Sequence, residues 1–236
     1  MKRFWDAATC RRDELGHAVL LDGRPVHLPG GGVLRVAAEP LAQAMAMEWQ
    51  AAGGAKGGEM SFEDTPLTRL AGTALERIAP NPDPTIDAIA RYGETDLLCY
   101  RADYPPRLVA LQARDWQPWL DWAAETYHAT LRVTTGVGHI RQHHDAITAL
   151  RRTVASLDIY ALAALGIVVP ATGSLVLGLA LSEGALDAAT AHALGTLDDR
   201  FQEEEWGIDA EAQRRRTAIA ADIALADRLV RLTRSN

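Results

Sequence analysis

The sequence contains very little cysteine and none of the short motifs that mark common catalytic sites. Cys10 and Cys99 are the only cysteines among 236 residues, so neither a disulfide framework nor a CxxC zinc site is expected. The GK[ST] phosphate-binding loop, the HExxH helix and the GxSxG elbow are all missing. We therefore predict a protein that is not an enzyme, with no catalytic residues, no cofactor and no metal.

Basic side chains are also scarce relative to acidic ones. The chain has 24 Lys+Arg and 31 Asp+Glu, which gives a formal net charge of -7. An acidic chain lacks the positive surface of a general nucleic-acid binder. Residues 1–60 hold 7 basic and 7 acidic side chains, so the whole excess lies in residues 61–236. From Glu183 to Glu211 there are nine acids and one base.

One uncharged run, from Ile159 to Leu181, is long enough to cross a bilayer. Pro170 interrupts it, because proline lacks a backbone donor and clashes with the preceding turn. The run therefore predicts two buried core helices, the first ending before Pro170, and no membrane insertion. The N-terminal segment has no uncharged apolar stretch, so it does not resemble a secretory signal. We expect a cytoplasmic protein in a bacterium, or a matrix protein in a mitochondrion.

The first sixty residues have the pattern of a small antiparallel sheet followed by one helix. Asp22-Gly23 between two apolar runs predicts a two-residue hairpin, since both positions need a positive φ. Four glycines between Gly53 and Gly58 indicate a domain boundary. The expected strands are 2–8, 16–21, 24–28 and 33–36. The apolar residues that share one face of the helix are Leu41, Met45 and Trp49.

Helical patterns dominate after residue 60, beginning at Thr65-Pro66, where threonine can cap a helix and proline can occupy its first position. The later helical patterns cover 86–100, 107–128, 140–157, 159–169, 172–182, 186–204 and 209–232. We therefore predict an α+β fold. A small antiparallel β domain occupies residues 1–60, and a larger multihelical domain occupies residues 61–236.

Two groups of polar residues allow other interpretations. His139 and His143 have the spacing of two metal ligands on one helix face, but no third ligand follows, so a solvated helix start is the favoured interpretation. Glu94, Asp96 and Arg101 lie close together and could serve acid–base chemistry. A small-molecule enzyme with a site between the two domains, using Arg101, Asp96 and the histidines, therefore remains an alternative. An acidic helical scaffold for another protein is a further one.

Three tryptophans recur every third residue in DWQPWLDWAAE. They are Trp116, Trp119 and Trp122. Burial of an indole stabilises a core by roughly 2–3 kcal/mol, so most of them are expected in the core. Tryptophan is also enriched in protein interfaces, and the sequence leaves open whether any of the three is exposed for binding.

Several segments, taken together in their order along the chain, resemble the assembly chaperones that handle the alpha subunit of the F-type ATP synthase catalytic head. The segments are KRFW from Lys2, LLDGRPVHLP from Leu20, AMEWQAA from Ala46, TPLTRLAGTALER from Thr65, YGETDLLCYRAD from Tyr92, QARDWQPWLDW from Gln112, TGSLVLGLAL from Thr172 and FQEEEWGIDAEA from Phe201. The resemblance covers nearly the full chain. Where the family is expected to have NTA after PLTRLA, this chain has Gly72-Thr73-Ala74.

This resemblance implies a chaperone that binds the unassembled alpha subunit and keeps it from aggregating until it pairs with beta. An isolated subunit of an obligate ring exposes a large apolar interface, and such a patch aggregates unless a partner covers it. The resemblance implies no nucleic-acid partner and no membrane insertion. We expect the free protein to be monomeric.

The acidic stretch DDRFQEEE, followed by Trp206, is the candidate binding surface. Its acids have few oppositely charged partners at helical spacing, so they could steer a basic region of the alpha subunit towards the chaperone, with an aromatic anchor nearby. A solvated helix face is the simpler interpretation. The candidate partner-binding residues are Asp198, Asp199, Phe201, Glu203, Glu204, Glu205 and Trp206.

Overall fold

The structure is a computed structural model and describes residues 1–136, 138–207 and 209–234. The strands are β1 Ala8–Asp13, β2 Gly16–Leu21, β3 Arg24–Pro25, β4 Arg35–Val36, β5 Tyr100–Arg101 and β6 Thr134–Thr135. The helices are α1 Glu39–Ala51, α2 Pro66–Thr73, α3 Asp83–Ala90, α4 Pro106–Tyr127, α5 His144–Ala155, α6 Ile159–Thr172, α7 Leu175–Glu183, α8 Ala188–Gly195, α9 Leu197–Trp206 and α10 Ala210–Arg234. The predicted α+β class is confirmed.

The N-terminal sheet is antiparallel and is organised around β2. Strand β1 pairs along the whole length of β2, and the short strands β3 and β4 pair with its two ends. Asp22 and Gly23, with φ of 48° and 78°, form the predicted hairpin turn between β2 and β3. Two short strands, β5 and β6, pair in parallel further along the chain.

The first strand is not where the sequence pattern placed it. The expected strand at residues 2–8 is wrong, because Lys2 forms only an isolated bridge with Glu59 and the regular strand is β1. Its sequence, ATCRRD, is mostly exposed and has no run of apolar residues. An edge strand of this kind is fixed by its pairing with β2, and it leaves no hydrophobic alternation in the sequence.

Helix α1 packs its predicted apolar face into the core. Leu41 and Met45 are fully buried and Trp49 is nearly so. The C-terminal end of this helix has no basic residue of its own. Arg3 supplies the charge instead: its Nη1 atom donates to the carbonyls of Gln50 and Ala52, at 2.7 Å and 3.4 Å. A cation at this end satisfies carbonyls that have no partner within the helix.

The contacts between Cα atoms divide the chain into two compact units. The first consists of Met1–Asn81 and the segment from Arg228 onward, and the second of Pro82–Asp227. Compactness in contacts is a different property from independent folding. The domain boundary near residue 60 therefore stays a prediction, which limited proteolysis would test.

The uncharged run from Ile159 to Leu181 forms the two predicted helices, α6 and α7, and most of its side chains are buried. The predicted break before Pro170 is wrong. Helix α6 continues to Thr172, and Gly173, with φ of 68°, ends it. Pro170 and Gly166 are exposed, so the carbonyl that loses its intrahelical partner faces solvent. In the part of the chain that the structure describes, no helix is long and apolar enough to cross a membrane.

Two further helix predictions need correction. Pro118 lies inside α4, well beyond its first turn, and its ring is exposed. The pattern over 186–204 corresponds to two helices, α8 and α9, which separate at Thr196. The Thr196 hydroxyl donates to the His192 carbonyl at 2.8 Å and closes α8, whereas its own carbonyl accepts from Arg200 and begins α9.

Candidate partner-binding surface

The acidic helix α9 carries the predicted binding residues, and several of its acids already have partners on other helices. Asp198 accepts a 2.7 Å hydrogen bond from the Gln112 side chain of α4, and burial raises the pKa of this carboxyl. Glu203 forms an ion pair with Arg216 of α10, and both side chains are largely buried. The expectation that these acids lack oppositely charged partners holds only within α9. Arginines that are distant in sequence supply the missing charge.

Arg107 of α4 engages the same helix from another side. Its guanidinium lies 2.7 Å from Glu204 and 3.4 Å from Glu205, and it stacks over the Phe201 ring at 5.4 Å. Phe201 is 7% exposed, so its ring belongs to the packed interior beneath Arg107. Exposed ion pairs contribute at most about 1 kcal/mol, and Glu204 and Glu205 therefore remain available to a partner.

Trp206 is the exposed aromatic residue of this surface. It ends α9 and is 88% exposed. A shallow cavity of about 360 Å³ lies beside it. The cavity is lined by Asp199, Gln202, Glu203, Trp206, Gly207, Asp209, Ala212, Arg215 and Arg216. A large exposed indole next to a free carboxylate such as Asp199 is a combination that suits a protein partner better than packing.

Comparisons with known proteins agree with the family resemblance. The family described as ATP12 chaperone protein matches residues 2–124. The crystal structure of Atp12 from Paracoccus denitrificans superposes with a TM-score of 0.93 and 44% sequence identity, covering 99% of this chain and 98% of that one. The chain belongs to the ATP12 chaperone family. The resemblance to assembly chaperones of the F-type ATP synthase is thereby confirmed.

Other members of the ATP12 family are similar along most of their length. An aspartate-to-lysine mutant of the Paracoccus protein has the same TM-score of 0.93. The Atu1473 protein of Agrobacterium tumefaciens, described as a candidate chaperone, has a TM-score of 0.90 and 36% identity, covering 98% of this chain and 85% of that one. The mitochondrial protein atp12 of Schizosaccharomyces pombe is 24% identical over 221 residues, which is 87% of this chain and 74% of that protein.

The acid–base candidates of the alternative enzyme hypothesis hold the fold of this ATP12-family chain. Asp96 is fully buried and accepts from the backbone N–H groups of Leu98 and Val176, at 3.1 Å and 3.0 Å. Arg101 donates to the carbonyls of Leu98 and Gln112, each at 2.7 Å. Each charge is therefore directed at backbone atoms. Asp96 joins a 3₁₀ turn to the beginning of α7, and Arg101 joins the same turn to α4.

Asp96 makes stability depend on pH. Burial raises the pKa of its carboxyl from 3.8 to about 6, although its hydrogen bonds act in the opposite direction. The folded protein therefore holds this proton more tightly than the unfolded chain does. The contribution to stability is complete below pH 3.8 and is lost as the pH rises through 6.

We expect Asp96→Asn to remove this dependence. Between pH 4 and pH 7, the free energy of unfolding of the unmodified protein should fall by roughly 3 kcal/mol relative to that of the variant. Urea denaturation across this range measures the difference. Asp187→Asn is the control, because the pKa of this exposed helix cap is lowered and its effect has the opposite sign. A constant gap between Asp96→Asn and the unmodified protein would contradict the assignment.

The histidines do not form the metal pair that their spacing suggested. His139 precedes the helix, and its Nδ1 atom lies 3.3 Å from the Tyr100 hydroxyl. His143 caps α5, and His144 is its first residue. Among the described residues, no three His, Cys, Asp or Glu side chains are grouped so that they could hold a metal ion. The favoured interpretation of a polar, solvated helix start agrees with this geometry.

The three tryptophans of α4 have different environments. Trp116 is fully buried, and its indole N–H donates to the Leu194 carbonyl at 3.0 Å. Trp119 and Trp122 are half-buried and meet edge to face at 6.2 Å. Trp122 also meets the Tyr127 ring at 5.2 Å. The prediction that most of them pack holds fully only for Trp116, and the other two form a partly accessible aromatic cluster.

Proposed function

We propose that this ATP12-family protein binds the unassembled alpha subunit of the F-type ATP synthase and releases it to beta. Family membership supports the proposal, and the exposed surface of Asp199, Glu204, Glu205 and Trp206 offers a place for a protein partner. The absence of a recognised catalytic motif agrees with a role that needs no chemistry. On this proposal the protein acts in the bacterial cytoplasm as a monomer until it meets its client.

The observation that carries the choice of surface is the exposure of Trp206, which is 88% accessible at the end of an acidic helix. A folded protein gains almost nothing from an indole in water, whereas a partner that covers it gains apolar burial. The nearby carboxylates favour approach by a basic surface and increase the association rate at low salt. Steering and anchoring are therefore separable in a kinetic experiment.

We expect Asp199→Lys combined with Glu205→Lys to slow association with the purified alpha subunit by about tenfold at low salt, with a smaller effect at high salt. Trp206→Ala should instead speed dissociation. Stopped-flow and biolayer measurements report the two rates. Glu203 is left unchanged, because its reversal would break the buried pair with Arg216 and disturb folding.

The matched control for the anchor is Leu15→Ala, which removes a side chain that is 77% exposed from a turn of the N-terminal sheet. Circular dichroism should show the same fold for every variant. If all variants bind as the unmodified chain does, α9 is not the interface. If the unmodified chain itself fails to bind the alpha subunit in size-exclusion chromatography, the proposed function is wrong.

A further inference from the structure

A groove on the first unit has no role in the fold. Its volume is about 480 Å³. Its walls are the segment after β3, the 3₁₀ turn Phe62–Asp64, helix α2 and the π-helical turn Ala74–Ile78 that follows. The residues that line it are Val26, His27, Leu28, Pro29, Trp49, Phe62, Thr68, Arg69, Gly72, Thr73, Glu76 and Arg77.

The groove has an apolar floor and an exposed aromatic rim. Leu28 and Trp49 are buried at 7% and 5% exposure, whereas Phe62 is 60% exposed. A Cβ atom placed on Gly72 would lie 3.1 Å from Leu28 Cδ2. The glycine therefore lets Leu28 lie close against α2. An asparagine, as the family pattern leads us to expect here, would carry a side chain into this contact.

The charged groups at the rim are of one available sign. The Glu76 carboxylate accepts from the Gly30 N–H at 2.8 Å and thereby holds the wall of the groove. Arg69 and Arg77 are exposed, and within the described residues neither forms an ion pair. Two unpaired guanidinium groups beside an apolar floor form a local positive site on a chain whose net charge is -7.

We propose that this groove binds an acidic segment of the client subunit that carries a large apolar side chain. The proposal rests on the proposed function, and it adds a second contact to the surface on α9. The apolar side chain would pack on Leu28 and Phe62, and the carboxylates would pair with Arg69 and Arg77 in the forked geometry that guanidinium favours. A small polar ligand fits less well, because the buried Thr68 hydroxyl already accepts from Trp49 at 3.1 Å.

A charge exchange with model peptides tests the groove without the client. The probes are a short acidic peptide with a central Leu-Phe pair and the same peptide with lysine in place of each acid. The acidic peptide should bind the unmodified protein, and R69E/R77E should weaken it by about tenfold while gaining affinity for the basic peptide. Equal binding of the two peptides by both proteins would overturn the proposal.

Two more variants separate the groove from general electrostatics. Arg11→Glu with Arg12→Glu makes the same charge change on the exposed strand β1 and should leave peptide binding unchanged. Thr73→Trp places an indole in the groove from an exposed position, and it should abolish binding without loss of thermal stability. If Thr73→Trp binds the peptide normally, the groove is not the site.

The client experiment then distinguishes the two proposals. Thr73→Trp and R69E/R77E should each reduce the affinity for the purified alpha subunit by about tenfold. If the unmodified chain binds the alpha subunit and these variants bind equally well, the groove proposal fails and the proposed function stands. If the peptides show the charge exchange but the alpha subunit does not bind, the groove stands as a peptide site with another client.

Discussion

Replacing Arg3 by methionine is expected to lower the free energy of unfolding by about 3–5 kcal/mol. Arg3 is 4% exposed, and its guanidinium stacks on the Trp5 ring at 5.5 Å. It donates to carbonyl oxygens in two separate segments. These are Trp5 and Asp6 in the N-terminal segment, and Gln50, Ala52 and Gly54 at the end of α1. Methionine fills much of the volume but leaves these buried carbonyls without their donor.

The chemistry of the guanidinium can be separated from its charge. Arg3→Lys keeps the charge but not the planar fork, so it should recover only part of the lost stability. Arg12→Met, on the exposed strand β1, should change stability by about 0.5 kcal/mol or less. Urea denaturation followed by circular dichroism measures all three. A loss of less than 1 kcal/mol in Arg3→Met would show that water replaces the guanidinium at this site.

Local signals in the sequence predicted the parts of the fold whose cause lies within a few residues. The Asp22-Gly23 turn, the apolar face of α1 and the Gly173 end of an apolar helix pair depend on a turn geometry, a helical period and a helix stop. The break at Pro170 was misplaced because the cost of proline depends on whether the freed carbonyl is exposed. Burial of that kind is a property of the folded chain.

Long-range caps could not be predicted from the sequence. Thr65 occupies the predicted cap position of α2, but its side chain makes no capping hydrogen bond. The Glu48 carboxylate of α1 accepts from Leu67 and Thr68 instead, at 2.8 Å and 3.0 Å, and burial raises the pKa of this carboxyl. Asp96 serves the beginning of α7 in the same way. Nothing in the spacing of these residues reveals which distant helix they satisfy.

This observation explains why the family motifs predicted the family but not the site. KRFW contains Arg3, AMEWQAA contains Glu48, and TDLLCYR contains Asp96 and Arg101, all of which hold backbone ends together. Their residue types are constrained by buried geometry. The candidate binding residue Trp206, in contrast, lies in water, and only its exposure distinguishes it from a core tryptophan.

The opposite environments of two tryptophans give the second large prediction. Trp116→Ala is expected to destabilise the protein by about 3–5 kcal/mol. The indole is fully buried, donates to the Leu194 carbonyl at 3.0 Å and lies 5.5 Å beneath the Arg101 guanidinium. Its loss would leave a cavity, an unpaired carbonyl of α8 and a buried cation without its aromatic partner.

Matched substitutions separate these contributions. Trp116→Phe keeps a ring under Arg101 but cannot donate to Leu194, so it should cost about half as much as alanine. Trp206→Ala makes the same chemical change at an 88% exposed position and should alter stability by about 0.5 kcal/mol or less. Thermal and urea unfolding of the three variants give the comparison. Equal losses at the two positions would mean that α4 does not pack on α8 as the structure describes. A large loss at position 116 alone, with binding lost only at position 206, would assign one indole to the fold and the other to the client.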